Sequence, residues 1–244
     1  MARFIQEITV IGQDDFISSA TPAHPVGTRA VSDDGRVFRY CSTGAATVAG
    51  NLIQSSAIVP DHLATTATAA VVGAKRIVFT PAATAGAAGL YADGLLGVSD
   101  SNGVGYTYGV SGHAAITASV AFNLDLKDPL QIALTTGSKL GLIANPYKNV
   151  IKMPQTTATG TLVGASTYII ASGEFGWLQT WGLCNVLVAG TPALGAIVMA
   201  PGATAGAVEI IVAAANLIVA QPIGNMAQVG VSAKYNWVML RVYA

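Results

Sequence analysis

Along residues 175–183 the odd positions read Phe175, Trp177, Gln179, Trp181 and Leu183, while the even positions read Gly176, Leu178, Thr180 and Gly182. A period of two marks a β-strand, here with one bulky aromatic face and one smaller face. Residues 186–189 continue apolar, Gly190-Thr191-Pro192 breaks the run, and 194–200 reads as a returning strand stopped at Pro201-Gly202. The closing segment 237–243 is apolar on both faces, with Val238, Leu240 and Val242 on one and Trp237, Met239 and Tyr243 on the other. That pattern predicts a central strand or a subunit contact.

Near the other end, Asp34-Gly35 predicts a two-residue hairpin turn. Pairing outward from it sets Asp33 opposite Arg36, Val31 opposite Phe38 and Arg29 opposite Tyr40, so Val31, Phe38 and Tyr40 share a face. Arg29, Arg36 and Arg39 all fall in this hairpin. They either grip an acidic partner surface or form the solvated face of the strand pair. Further strands are expected at 52–59, 75–80, 95–99, 106–110, near 116–126 and 130–134, and at 208–213 and 217–220. The Ala- and Thr-rich stretch 64–88 reads as β with small side chains, because Thr, Val and frequent Gly oppose a helix.

Turns every eight to twelve residues or so predict an all-β chain of antiparallel strands. The expected architecture is two β-sandwich or barrel-like domains with an extended N-terminal arm. The arm is residues 1–25, which lie across a neighbour or form an edge strand of the chain's own sheet. A β domain carrying the Asp-Gly hairpin follows at 26–155, and a C-terminal β domain at 156–244. The boundary falls in the Thr-rich stretch 155–160.

Composition changes the picture in one respect. Only 10% of the 244 residues are charged and the formal net charge is zero, against about 25% charged in an ordinary soluble domain. A phosphate backbone needs a basic excess, so nucleic acid is not an expected partner. An apolar content of 52% with so few charges suits a subunit covered by neighbours. The N-terminus lacks a basic region followed by a long apolar stretch, and 205–220 is short and carries Glu209 and Asn216. Neither a secretory signal nor a membrane helix is therefore expected, and synthesis in a reducing cytoplasm is. Cys41 and Cys184 read as buried thiols, with a single long-range disulfide as the alternative.

Candidate chemistry is sparse. Asp100, Asn102 and Gly103 lack the later acidic ligand of a calcium loop. His24, His62 and His113 are far apart in sequence, with no Cys or acidic residue at ligand spacing. Asp125 and Asp128 flank Lys127 in a turn that a capping carboxylate explains. No nucleophile elbow, P-loop or dinucleotide fingerprint occurs. The expectation is a protein without catalysis, cofactor or metal.

Three stretches together resemble the head-decoration, or cement, proteins of tailed bacteriophages. They are GTRAVSDDGRVFRY at 27–40, YADGLLGVSDSNGVGYTYGVSGH with the downstream DPL and NPY turns across 91–147, and FGWLQTWG at 175–182. The resemblance implies a virion structural protein on the capsid exterior, a homotrimer that reinforces joints between major capsid subunits. The candidate contacts are Arg3, Phe4 and Ile5 in the arm, Arg29, Arg36 and Arg39 in the hairpin, and Trp177, Trp181, Trp237 and Tyr243 in the C-terminal strands. A second function class is a receptor- or glycan-binding virion module, with an exposed aromatic platform near Tyr106, Tyr108 or Trp177.

Overall fold

Strand after strand alternates inward and outward residues between Gly, Asn and Asp turns, and the chain is all-β, as the turn spacing predicts. The computed structural model describes residues 8–9, 16–155, 157–200, 203–211 and 221–242. It divides into two compact units: Met1–Ser56 with Pro146–Ala244, and Ala57–Asn145 inserted between them. The first unit begins with β1 (Ile8–Thr9), β2 (Arg29–Val31), β3 (Val37–Ser42) and β4 (Leu52–Gln54). The inserted unit holds β5 (Thr65–Thr66), β6 (Arg76–Phe79), β7 (Leu95–Asp100), β8 (Thr107–His113), β9 (Phe122–Leu126) and β10 (Lys139–Ile143). The first unit then resumes with β11 (Ile151–Lys152), β12 (Leu162–Ser166) and β13 (Phe175–Val188). It closes with β14 (Ile197–Ala200), β15 (Glu209–Ile210), β16 (Gln221–Met226) and β17 (Lys234–Arg241).

This division replaces the expected boundary at 155–160. The physical reason is strand pairing: β3, from the hairpin near the N-terminus, lies antiparallel against β13, with Trp177 opposite Tyr40. A cut at 155–160 would separate two neighbours in one sheet. That sheet runs β1-β2-β3-β13-β17-β16-β14-β15, and β12 joins it through β13 and β4. The inserted sheet runs β5-β10-β7-β8-β9-β6. One sheet is a half-barrel and the other a nearly closed barrel. Every pairing between named strands is antiparallel except β1 with β2.

The arm follows its own unit. β1 pairs with β2, and Ser19 exchanges backbone hydrogen bonds with Phe175 at 3.0 and 2.8 Å. The Tyr168 hydroxyl donates to the Ile17 carbonyl at 3.0 Å, and the Ala23 N–H donates to the Tyr40 hydroxyl at 2.9 Å. His24 packs against both Tyr40 and Trp177, each ring centroid 5.3 Å away.

Two register details correct the sequence expectation. In the hairpin, Val31 pairs with Val37, Ala30 with Phe38 and Arg29 with Arg39, one residue off the expected pairing. Gly35 adopts a positive φ of 82°, and its N–H bonds to the Ser32 carbonyl while Ser32 N–H reaches the Arg36 carbonyl, both at 2.9 Å. The loop is thus three residues long with a bulge at Gly35, and the slip turns every β2 side chain to the opposite face. In β13 a register shift lies between Gln179, opposite Phe38, and Trp181, opposite Val37. The extra residue reverses the alternation, so Trp177 and Trp181 do not share a face. The Gln179 side-chain amide donates to the Trp181 and Leu183 carbonyls, both at 3.0 Å, and so ties the bulge to the strand beyond it.

The expected strand at 130–134 is absent except for a bridge between Leu134 and Ala70. Of the strands expected at 208–213 and 217–220, Glu209–Ile210 is formed, and 212–213 and 217–220 lie outside the described residues. β10, β12 and β16 were not legible as strands, because glycine or proline interrupts their apolar positions.

Candidate functional site

The alternation of β13 and β17 builds a surface with two characters. Inward, Cys184, Val186, Val188, Val238, Leu240 and Val242 form part of the first unit's main core. Outward, Leu183 stands opposite Met239, Asn185 opposite Trp237 and Trp181 opposite Arg241. Trp181 is 39% exposed and Trp237 46% exposed, although both lie on central strands of the sheet. The tip of the β2–β3 hairpin flanks them. Together Asp34, Arg36, Trp181, Leu183, Trp237 and Met239 line a groove of about 620 Å³.

The polar groups of this groove are fixed in place. The Arg36 Nε donates to one Asp34 carboxylate oxygen at 2.6 Å, and the Arg36 backbone N–H donates to the other at 3.1 Å. The Ser32 hydroxyl donates to the same carboxylate at 2.5 Å. These bonds, led by Ser32, hold the Asp34 carboxyl down at about 2. The Arg36 guanidinium also lies over the Phe38 ring at 5.3 Å. Gly182 has a φ of 93°, and a Cβ there would meet the Arg36 side chain at 3.0 Å, so a glycine lets the hairpin tip approach the strand.

A second groove belongs to the inserted unit. On β7, β8 and β10 the residues Leu96, Val98, Tyr108, Val110, Leu140 and Leu142 point into a core. Outward positions carry Leu95, Gly97, Thr107, Gly141 and Ile143, with Gly97 directly opposite Gly141 and Leu95 opposite Ile143. With Leu63 and Ala64 these residues enclose about 450 Å³. No charged side chain lines it, and a Cβ added at Gly97 meets nothing within 4 Å.

The structure sorts the residues singled out by sequence. Trp177 is 3% exposed and packs with Ala30, Phe38 and Tyr40, so it is core of its own unit and not an assembly contact. Tyr108 is buried too, its hydroxyl accepting the Gln131 N–H at 3.2 Å, so neither it nor Trp177 supplies the expected aromatic platform. Tyr106 remains half-exposed beside it. Among the described residues the exposed aromatics are Phe16, Tyr106, Trp181, Tyr235 and Trp237, and of these Trp181 and Trp237 line one groove. Arg39 donates to the Gly27 carbonyl at 3.1 Å and lies near the Tyr147 ring, while Arg29 stands directly across from it. Arg36 alone of the three lines the groove. Arg3, Phe4, Ile5 and Tyr243 lie outside the described residues.

Sequence reasoning missed a buried polar chain in the inserted unit. The Tyr91 hydroxyl donates to His62 Nδ1, and His62 Nε2 donates to the Thr84 carbonyl at 2.9 Å. The Tyr91 N–H donates to His113 Nε2 at 3.0 Å, and His113 Nδ1 donates to the Ala114 carbonyl at 2.6 Å. Each partner fixes which ring nitrogen carries hydrogen. Burial pushes the Tyr91 phenol up to about 12. Nothing in the spacing of residues 62, 91 and 113 could have announced this cluster, since a turn of sheet brings them together. Cys41 and Cys184 are free thiols, as expected, and sit in separate core clusters. Burial raises both, Cys184 to about 12.

Among the described residues no group of three or more His, Cys, Asp or Glu side chains is placed to hold a metal ion. No helix among them is long and apolar enough to cross a membrane. No family model matches the chain, and neither does any curated protein or solved structure.

Proposed function

We propose that this protein is a non-enzymatic structural subunit of a tailed-phage virion. It decorates the outside of the capsid as a homotrimer and reinforces joints between major capsid subunits. The observation that carries this reading is the glycine-floored groove of the inserted unit. Leu95 is 51% exposed, and Leu63 and Ile143 are exposed beside it. Covering the free half of each contributes about 1 kcal/mol. Gly97 leaves open space for an inserted side chain while Leu63 packs over the facing Gly141, and the absence of charged lining residues removes the desolvation cost of a dry contact. A free monomer gains nothing from such a surface. The virion setting rests on the resemblance of residues 27–40, 91–147 and 175–182, and the trimer rests on the same resemblance.

The test is co-sedimentation with capsid shells assembled from the cognate major capsid protein. Wild-type protein pellets with the shells and raises their resistance to heat. Gly97→Arg places a long charged side chain where a Cβ meets open space; it leaves the fold intact and abolishes pelleting. Wild-type protein that stays in the supernatant, or that pellets without protecting the shells, overturns the proposal.

A further inference from the structure

The groove of the first unit has a different chemistry. Its two tryptophans are offset by four positions along paired strands, since Trp181 stands opposite Arg241 and Trp237 opposite Asn185. At about 3.3 Å per residue that offset is about 13 Å. Leu183 and Met239 lie side by side between them, so a flat apolar floor runs from one indole to the other. Along one side stand Asp34 and Arg36, an acceptor and a donor locked to each other at 2.6 Å. Their side chains are 56% and 27% exposed, so both still reach a ligand.

Three considerations select the occupant. Indole faces are large, flat and rigid, and they attract apolar surface at little cost in conformational entropy. A protein contact sealed over this groove would strip water from the Asp34–Arg36 pair, and that loss is repaid only by new hydrogen bonds of good geometry. A ligand that is apolar on its ring faces and hydroxylated around its rim meets both demands: its C–H faces cover the indoles, and its hydroxyls replace the water on the carboxylate and the guanidinium. The pair cancels its own charge, and Arg241, though opposite Trp181, does not line the groove, which favours a neutral ligand over an acidic one. Because Asp34 and Arg36 are already held by Ser32 and by the hairpin backbone, little ordering remains to be done on binding.

We infer that the groove between Trp181 and Trp237 is a binding site for a neutral oligosaccharide, with the indoles stacked on sugar rings and Asp34 and Arg36 hydrogen-bonded to hydroxyl groups. This goes beyond a structural role and does not depend on it, because the site lies in the first unit and the proposed capsid contact in the inserted one.

The test titrates the full chain with neutral hexasaccharides of glucose, galactose, mannose and N-acetylglucosamine, with an acidic oligogalacturonate as the contrast. Calorimetry and tryptophan fluorescence report binding. At least one neutral sugar binds the wild-type chain, and Trp181→Ala and Trp237→Ala each weaken it at least about tenfold. Asp34→Asn weakens it while keeping side-chain volume, and Trp237→Phe retains part of the affinity, which separates loss of the site from loss of the fold. Absence of binding by every neutral sugar overturns the inference. So does preference for the acidic sugar, or a sedimentation mass that drops to monomer in Trp237→Ala without any sugar bound to wild type, which would make the groove a protein seam.

Discussion

The two outward grooves rest on the same period-two alternation and differ in what fills the outward positions. On β13 and β17 these are tryptophan, leucine and methionine beside a fixed ion pair; on β7 and β10 they are two facing glycines between leucine and isoleucine. Bulk with a polar rim suits a small hydroxylated ligand. An uncharged floor with space above it suits a side chain from another protein. A strand face therefore acquires its partner through outward residues that contribute little to the core, and the two kinds of residue are separable by mutation.

The largest expected effect sharpens the contrast between buried and exposed tryptophan. Trp177→Ala removes a side chain packed against Phe38 and Tyr40 and lowers unfolding free energy by about 3–5 kcal/mol in urea titrations. Trp237→Ala changes it by about 0.5 kcal/mol, as an outward position should. Equal losses would mean that the outward face also holds the unit together.

Tyr91 gives the next effect, confined to the inserted unit. Tyr91→Phe removes the donor to His62 Nδ1 and costs about 1–3 kcal/mol at neutral pH. The wild-type advantage should shrink in alkali. Burial raises the folded-state phenol from 10.0 to about 12, so the unfolded chain loses this proton first, and the contribution is full below pH 10 and falls as pH rises to 12. A gap between the two proteins that stays constant from pH 8 to 12 contradicts burial as the cause. In the first unit burial raises both Cys41 and Cys184, the latter from 9.0 to about 12, so a corresponding loss starts near pH 9, and Cys184→Val removes only the share of Cys184.

The smallest expected effect is at Gly97. Gly97→Ser, with open space around a new Cβ, shifts stability by about 0.5 kcal/mol or less. Capsid binding by this variant is weakened less than by Gly97→Arg, in proportion to the volume added. Shells that bind both variants equally well would remove the groove from the contact.

Much of this was legible in sequence, and the limits have physical causes. The antiparallel all-β fold follows from turn spacing, and the two-faced β17 follows from its alternation, with Val238 and Leu240 inward and Trp237 and Met239 outward. Trp181 and Trp237 were visible as candidates because large aromatics stand out in a chain with only three tryptophans. Their separation from Trp177 was not, since one extra residue after Gln179 flips a face without leaving a compositional trace. The hairpin register slipped for a related reason: Asp34-Gly35 serves equally in a two-residue turn and in a three-residue loop with a bulge. The inserted unit was hidden because its neighbours in the first sheet, β3 and β13, are more than a hundred residues apart. Gly97 falls within the strand expected at 95–99, but the strand that carries Gly141 was not expected, so the glycine floor that the two strands share stayed hidden.

The most direct measurement is co-sedimentation of wild type, Gly97→Arg and Trp237→Ala with the same capsid shells. Wild type and Trp237→Ala pellet with the shells, and Gly97→Arg remains in solution. Loss of pelleting in Trp237→Ala with retention in Gly97→Arg contradicts the assignment of the two grooves.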